Sequence, residues 1–203
     1  MPRYNSRNSL ERPCDREAHL WEEFKNGSEA AFTSIYQQYA YLLYSYGNKI
    51  SSDATLVEDC IQELFIKLWV NKAKLGEAPS LKNYLLKAFR RLLRDAIQKN
   101  KPTTATSGQE LDFKLTLRAQ SEEVQQQSQL EKERKLQLAI ERLSARQKEV
   151  IYLRFYKKMS NEEIAEVMAI GVPSIYNLVS KALAVLEEHL YLLSTLLLSG
   201  YLA

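Results

Sequence analysis

The stretch VEDCIQELFIKLWVNKAKLGEAPSLKNYLLKAFRRLLRDAIQKNK, residues 57–101, reads as two helices of opposite character joined by a short loop. In the first, Val57, Cys60, Ile61, Leu64, Phe65, Leu68 and Trp69 recur at spacings of three and four, drawing one apolar stripe that must face a core. A second strip, Asp59, Gln62, Glu63, Ile66 and Val70, lies on the side turned away. A mixed acidic and apolar strip beside a buried face suits docking on a basic partner helix, and a plain solvated face is the alternative. The second helix starts after Pro79 with Ser80 as N-cap and runs to about Gln98. Leu81, Tyr84, Leu85, Ala88, Leu92 and Ala96 form its apolar side. Its other side carries Asn83, Lys87, Arg90, Arg91, Arg94 and Gln98, continuing to Lys101. Cations on one helix face repel one another, so a polyanion is the natural partner, against a merely solvated basic face.

Working outward from that pair, the punctuation is that of helices joined by short turns. Gly and Pro are few, and no stretch shows the sustained alternation a half-buried strand needs, so the chain is predicted to be all-α. The chain has 203 residues, 45% hydrophobic and 26% charged, a composition that builds one large or two small soluble domains. Upstream, residues 1–17, with Arg3, Arg7, Arg12 and Arg16 among polar residues, read as a mobile arm. A short helix around Ala18 to Lys25 stops at Asn26 and Gly27, and Ser28 caps a long one. On that long helix Phe32, Ile35, Tyr36, Tyr39, Leu43, Tyr46 and Ile50 trace a core face, and Ser52 or Asp53 caps the helix that follows.

Downstream, Pro102, Thr103, Thr104, Thr106, Ser107 and Gly108 break the periodicity, and residues 101–128 read as a flexible linker. Ser144 with Gln147 and Ser160 with Glu163 fit the capping-box spacing, so helices should start at both points. From Ser160 to Leu186 the pattern is a helix-turn-helix. Ile164, Ala165 and Met168 lie on the first helix, Ala169, Ile170 and Gly171 make the turn, and Ile175 and Leu178 lie on the second. Ser174, Tyr176, Asn177, Ser180 and Lys181 then project outward, where side chains meet a major groove; similar helix hairpins also occur in proteins that never touch DNA. From His189 to Ala203 a leucine-rich tail leaves almost no polar face. It falls short of a membrane span and is either an extra helix packed on the second lobe or a sticky segment for a partner.

The small net charge of +3 says little, and the clustering of charge is what informs. With only Cys14, Cys60, His19 and His189, neither a disulfide framework nor a zinc site of the usual spacings can be assembled, and no cofactor is expected. Nothing resembles a phosphate loop or a nucleophile with its base, so the chain is not expected to be an enzyme. The N-terminus lacks a secretory signal, which makes the cytoplasm the expected compartment.

Taken in order, these elements resemble the extracytoplasmic-function (ECF) sigma factors of bacterial RNA polymerase, in the sigma-70 family. The resemblance runs from about Leu20 to Leu190. Glu58-Asp59-Cys60-Ile61-Gln62-Glu63-Leu64-Phe65 looks like the family's polymerase-docking segment, and Glu162-Glu163-Ile164-Ala165-Glu166 like its second-lobe signature. The resemblance implies a sigma region 2-like helical bundle at 18–100, a linker at 101–128 and a sigma region 4-like helix-turn-helix domain at 129–190; the apolar tail at 191–203 is not a required part of the family pattern. It implies that Asp59, Gln62, Glu63, Ile66 and neighbouring Val70 meet the clamp helices of the polymerase's largest subunit. Asn83, Lys87, Arg90, Arg91 and Arg94 would hold the promoter's minus-ten region, with a non-template base captured in the loop Lys74 to Ser80. The second lobe would read the minus-thirty-five element. An anti-sigma factor, often a membrane protein, is the further partner implied.

The chain departs from the family pattern in having Arg91 after Arg90, where Asn is common, and in having Ala169 and Gly171 in the turn. Two other functions fit parts of the sequence. A helix-turn-helix regulator that is no polymerase subunit leaves the acidic strip unexplained, and a helical adaptor would act through the tail.

Overall fold

The structure, a computed structural model, describes residues 13–99, 111–115 and 127–200. The described residues are helical apart from turns and one short extended segment, and contain no strand. The arginines Arg3, Arg7 and Arg12 of the predicted arm lie outside the described residues.

Four helices build the first lobe: α1 (Pro13–Lys25), α2 (Glu29–Ile50), α3 (Ala54–Asn71) and α4 (Leu81–Lys99). The first starts five residues before the helix expected at Ala18, with Pro13 in its first turn, where a missing amide hydrogen costs nothing. Gly27 takes φ +93°, which an L side chain rarely adopts, and turns the chain directly into the Ser28 cap, whose hydroxyl accepts from the Ala31 amide. Asp53 caps α3 through the Leu56 amide, and the Ser80 hydroxyl accepts from the Asn83 amide at the head of α4.

Trp21 and Phe24 of α1, the Ile35 to Ile50 face of α2 and the Val57 to Leu68 stripe of α3 close on one another as an aromatic-rich core. Tyr36 sits at its rim, packed edge-on to Phe65. Trp21 also donates its indole N–H to the Gly76 carbonyl at 2.9 Å, pinning the loop before α4 to α1.

Two features of this lobe were invisible in the periodicity. Gly47 lies where α2 meets both neighbours, and a Cβ built there would come within 2.7 Å of Val57 Cγ1 and 2.9 Å of the Phe89 ring. Gly47→Ala is therefore expected to destabilise the protein by about 1–3 kcal/mol, read as a lower urea midpoint with unchanged slope. An unchanged midpoint would mean that the helices do not approach so closely. The second feature is that α4 is buried on two sides: Phe89 packs on Gly47 and Tyr46 of α2, while Asn83 and Arg90 turn the other way.

The second side of α4 is covered by the second lobe, made of α5 (Gln127–Glu141), α6 (Ala145–Ile151), α7 (Asn161–Met168) and α8 (Val172–Gly200). Both predicted capping boxes form, Ser144 with Gln147 and Ser160 with Glu163. Within the segment read as linker, residues 111–115 run extended, with Leu111, Phe113 and Leu115 buried and Asp112 and Lys114 exposed. This short piece packs because its alternation offers one apolar face. Phe113 fills the space between Tyr46 and Tyr152, and the Lys114 amide donates to the Lys49 carbonyl. Of the rest of the linker, residues 101–110 and 116–126 lie outside the described residues, and its last two, Gln127 and Ser128, already belong to α5. The tail forms no separate helix: the backbone of α8 continues without a break to Gly200, through the expected boundary at 190, and its side chains from Leu190 onward lie outside the described residues. Among the described residues no single helix is long and apolar enough to cross a membrane.

Candidate nucleic-acid and partner interfaces

On α3 the strip Asp59, Gln62, Glu63, Ile66 and Val70 faces outward, and Ile66 and Val70 are 62% and 72% exposed. Glu63 pairs with Lys67 one turn on, an exposed contact of little energetic weight. Beside the strip, Tyr36, Ala40, Tyr41 and Tyr44 of α2 meet Glu58 and Gln62 around a groove of about 380 Å³. Tyr41 is 80% exposed, and sequence reasoning missed it because it falls off the tyrosine stripe that marks the core. The strip's character reaches inward as well: burial first, then the charges of Glu63 and Asp59, push the Cys60 thiol pKa up.

The basic helix α4 is divided along its length. Lys87 and Arg91 are exposed and Arg94 is half-exposed, with Arg91 and Arg94 both near Asp95. Gln98 is exposed, and Lys101 lies outside the described residues. Asn83 and Arg90, expected on the same open face, are instead turned into the second lobe. Seven residues apart, they share one line on the helix, at the border of the arc that carries Leu86 and Leu93 into the interior. The sequence shows one polar face there, but the packing of α6 and α7 on α4 places Asn83 and Arg90 inside.

Arg90 forms a two-pronged pair with Glu149 of α6, Nε to Oε1 at 2.7 Å and Nη2 to Oε2 at 3.0 Å, and Tyr46 donates its hydroxyl to the same carboxylate. Only 13% of the Arg90 side chain and 2% of that of Glu149 reach solvent. Burial alone would lower the Arg90 pKa, but the hydrogen bonds and charge of Glu149 outweigh it and hold the guanidinium more firmly protonated. Burial, reinforced by the Glu149 charge, pushes the Tyr46 phenol well above its ordinary value. Such a pair contributes little over an apolar contact, whereas removing one member leaves a stranded charge at a cost of about 3–5 kcal/mol. Asn83 directs its amide nitrogen at Glu163 and Glu166 of α7, at 3.4 and 3.5 Å, and its buried Oδ1 has no partner. Glu149 was not singled out in the sequence, since nothing local distinguishes it from a surface acid in a capped helix.

Between α3, α4 and α7 opens a larger groove of about 840 Å³, lined among others by Lys67, Tyr84, Lys87, Arg91 and Arg94. Tyr84 packs on Trp21 with ring centres 5.4 Å apart, and burial raises its phenol pKa.

In the second lobe the chain turns through 106° between α7 and α8, within the range of a helix-turn-helix. Ala169 makes the turn in the left-handed region, φ 54° and ψ 46°, where glycine would be free of the steric cost. Ile164, Ala165 and Ile175 are buried at the crossing, and Ser174, Tyr176, Asn177, Ser180 and Lys181 are all exposed along the outer side of α8.

Comparison with known families supplies the deciding observation. The family model for Sigma-70 region 2 matches residues 35–103 and that for Sigma-70, region 4 matches residues 133–186, together more than half of the chain and in that order. The chain belongs to the sigma-70 family. It is a sigma factor, with a region 2 lobe and a region 4 helix-turn-helix lobe and a function in transcription initiation. This sets aside the regulator and adaptor readings.

No curated protein sequence matches this sigma factor significantly. Among solved structures, CnrH in complex with the cytosolic domain of CnrY is similar at TM-score 0.58 and 17% identity, covering 87% of this chain and 97% of that one. The sigma factor RpoE in complex with the anti-sigma factor NepR, from Bartonella quintana, is similar at TM-score 0.54 and 20% identity, covering 79% and 96%. At such identities the likeness speaks for the fold.

Proposed function

We propose that this sigma factor binds core RNA polymerase through Asp59, Gln62, Glu63, Ile66 and Val70, and directs promoter recognition and melting through α4 and α8. The observation that carries the reading is the placement of two chemistries on adjacent helices of one lobe. An acid-bearing strip with two exposed aliphatic side chains lies on α3, and the open cations Lys87, Arg91 and Arg94 lie on α4. The strip suits a basic helix pair such as the polymerase clamp helices, and the cations suit the phosphates of the minus-ten region. The loop Lys74 to Ser80 would hold an extruded non-template base, its unpairing offset by contacts made only to the single strand. Ser174, Tyr176, Asn177 and Ser180 would read the minus-thirty-five element, with Lys181 on phosphate.

In this reading residues 18–100 and 129–190 divide the work, the polymerase performs all the chemistry, and the protein acts in the cytoplasm. An anti-sigma factor is the proposed inhibitor; the solved complex of a similar fold with NepR supports it. The test is to add the purified chain to core polymerase with a panel of genomic promoter fragments. Specific new transcripts are expected. Their absence, together with failure to co-elute with core enzyme, would sink the proposal.

A further inference from the structure

We propose that Trp21 of α1 is a positioning residue for promoter opening: its indole N–H holds the Gly76 carbonyl, and through it keeps the loop before α4 in the shape that receives an extruded base. The inference rests on the base-capturing role proposed for Lys74 to Ser80. Trp21 itself lies ahead of residue 35, where the match to the region 2 family model begins.

A buried indole must find an acceptor for its N–H, and any neighbouring carbonyl would serve. Trp21, 2% exposed, reaches a backbone carbonyl 55 positions away, in a loop where Gly76, Glu77 and Pro79 are exposed. A Cβ built at Gly76 would touch nothing within 4 Å, so no side-chain packing fixes the backbone at that point. The ring that makes the contact is itself held, with Phe24 at 5.1 Å and Tyr84 at 5.4 Å between ring centres. The two ends of the loop are anchored separately. Lys72 donates to the Trp69 carbonyl at 3.2 Å and sits over the Trp69 ring, while the Ser80 hydroxyl accepts from the Asn83 amide. Trp21 thus fixes the middle of a span whose ends are already tied.

Such a loop suits the capture of a base. The unpairing of that base is offset by the contacts it makes once extruded, and every loop residue that must be ordered at that moment subtracts from the gain. A loop ordered beforehand keeps the gain whole, as pre-organised sites do. The bond from Trp21 involves no charged group, so its loss weakens opening without removing a phosphate contact.

The test uses the full chain, alone and with core polymerase on the promoter fragment that yields the strongest new transcript. Two variants remove the donor: Trp21→Phe, and the 3-benzothienylalanine analogue at position 21, in which sulfur replaces the N–H and the ring shape is kept. The analogue serves if Trp21→Phe fails to fold. In the free protein, hydrogen exchange at Leu75, whose amide donates to the Lys72 carbonyl, should quicken about fivefold, the value of one neutral hydrogen bond. In the complex, the permanganate reactivity of unpaired thymines should report an opening equilibrium lowered about fivefold, with core binding and the salt slope unchanged. Tyr39→Phe removes a different α1 hydrogen bond, the one from Tyr39 to Glu17 at 2.7 Å, and should change neither readout. Folded donor variants with wild-type exchange or wild-type opening would overturn the proposal. So would an equal loss from Tyr39→Phe, which would reduce the effect to the packing of α1. Failure of the loop's own role shows separately, since deleting Gly76 and Glu77 would then leave opening intact; a loop that is needed, with donor variants that are inert, removes Trp21 alone.

Discussion

A sigma factor carrying Asp59→Arg together with Gln62→Ala is expected to lose core RNA polymerase almost entirely, its affinity falling by at least about 100-fold, while duplex binding by α8 is unaffected. Asp59 and Gln62 are exposed on α3 and lie one turn apart beside Ile66. Against a basic partner helix, an arginine at position 59 replaces attraction by like-charge repulsion, which costs several kcal/mol, and each 1.4 kcal/mol is tenfold in affinity. Because neither side chain is packed inside the lobe, the melting temperature should move by no more than an exposed substitution moves it. Titration of labelled sigma factor with core enzyme measures the effect. Wild-type affinity for core enzyme in the double variant would remove α3 from the polymerase interface.

The second large effect concerns the open half of α4. Replacing Lys87, Arg91 and Arg94 by Ala is expected to weaken promoter complexes of the polymerase and to flatten their dependence on salt. Each lost phosphate contact should take roughly 0.7–0.9 from the slope of log K against log salt, or about two to three in all. Arg90 is left out deliberately. It is held by Glu149, and its loss would mix the stranding of a buried carboxylate with the loss of a DNA contact. An unchanged slope would show that this face does not meet DNA.

The polar face of α4 shows what a periodic reading of the chain can and cannot do. Asn83, Lys87, Arg90, Arg91 and Arg94 fall on one side of a helical wheel, and that much is a property of the helix. Which of them meets water depends on what packs there, and α7 comes from some eighty residues downstream. The same holds for Phe89, whose burial comes from Gly47 and Tyr46 of α2. Gly47 is a further case, since its value lies in the approach of Val57 and Phe89 from two other helices. Tyr41 is the converse, an aromatic that no neighbour covers. The helix starts at Ser28, Asp53, Ser80, Ser144 and Ser160 were legible because a cap bonds to an amide only two or three residues away.

Local chemistry thus determined, from the sequence by itself, the all-α class, the capped helix starts, the acidic strip on α3 and the outward side of the recognition helix, because each depends on contacts within a few residues. Tertiary structure alone decided that the two lobes share a core through Phe113 and that Glu149 reaches Arg90 and Tyr46. Those partners are separated by 59 and 103 positions along the chain, and no spacing rule reaches across such a distance; only the packed fold brings them within a hydrogen bond.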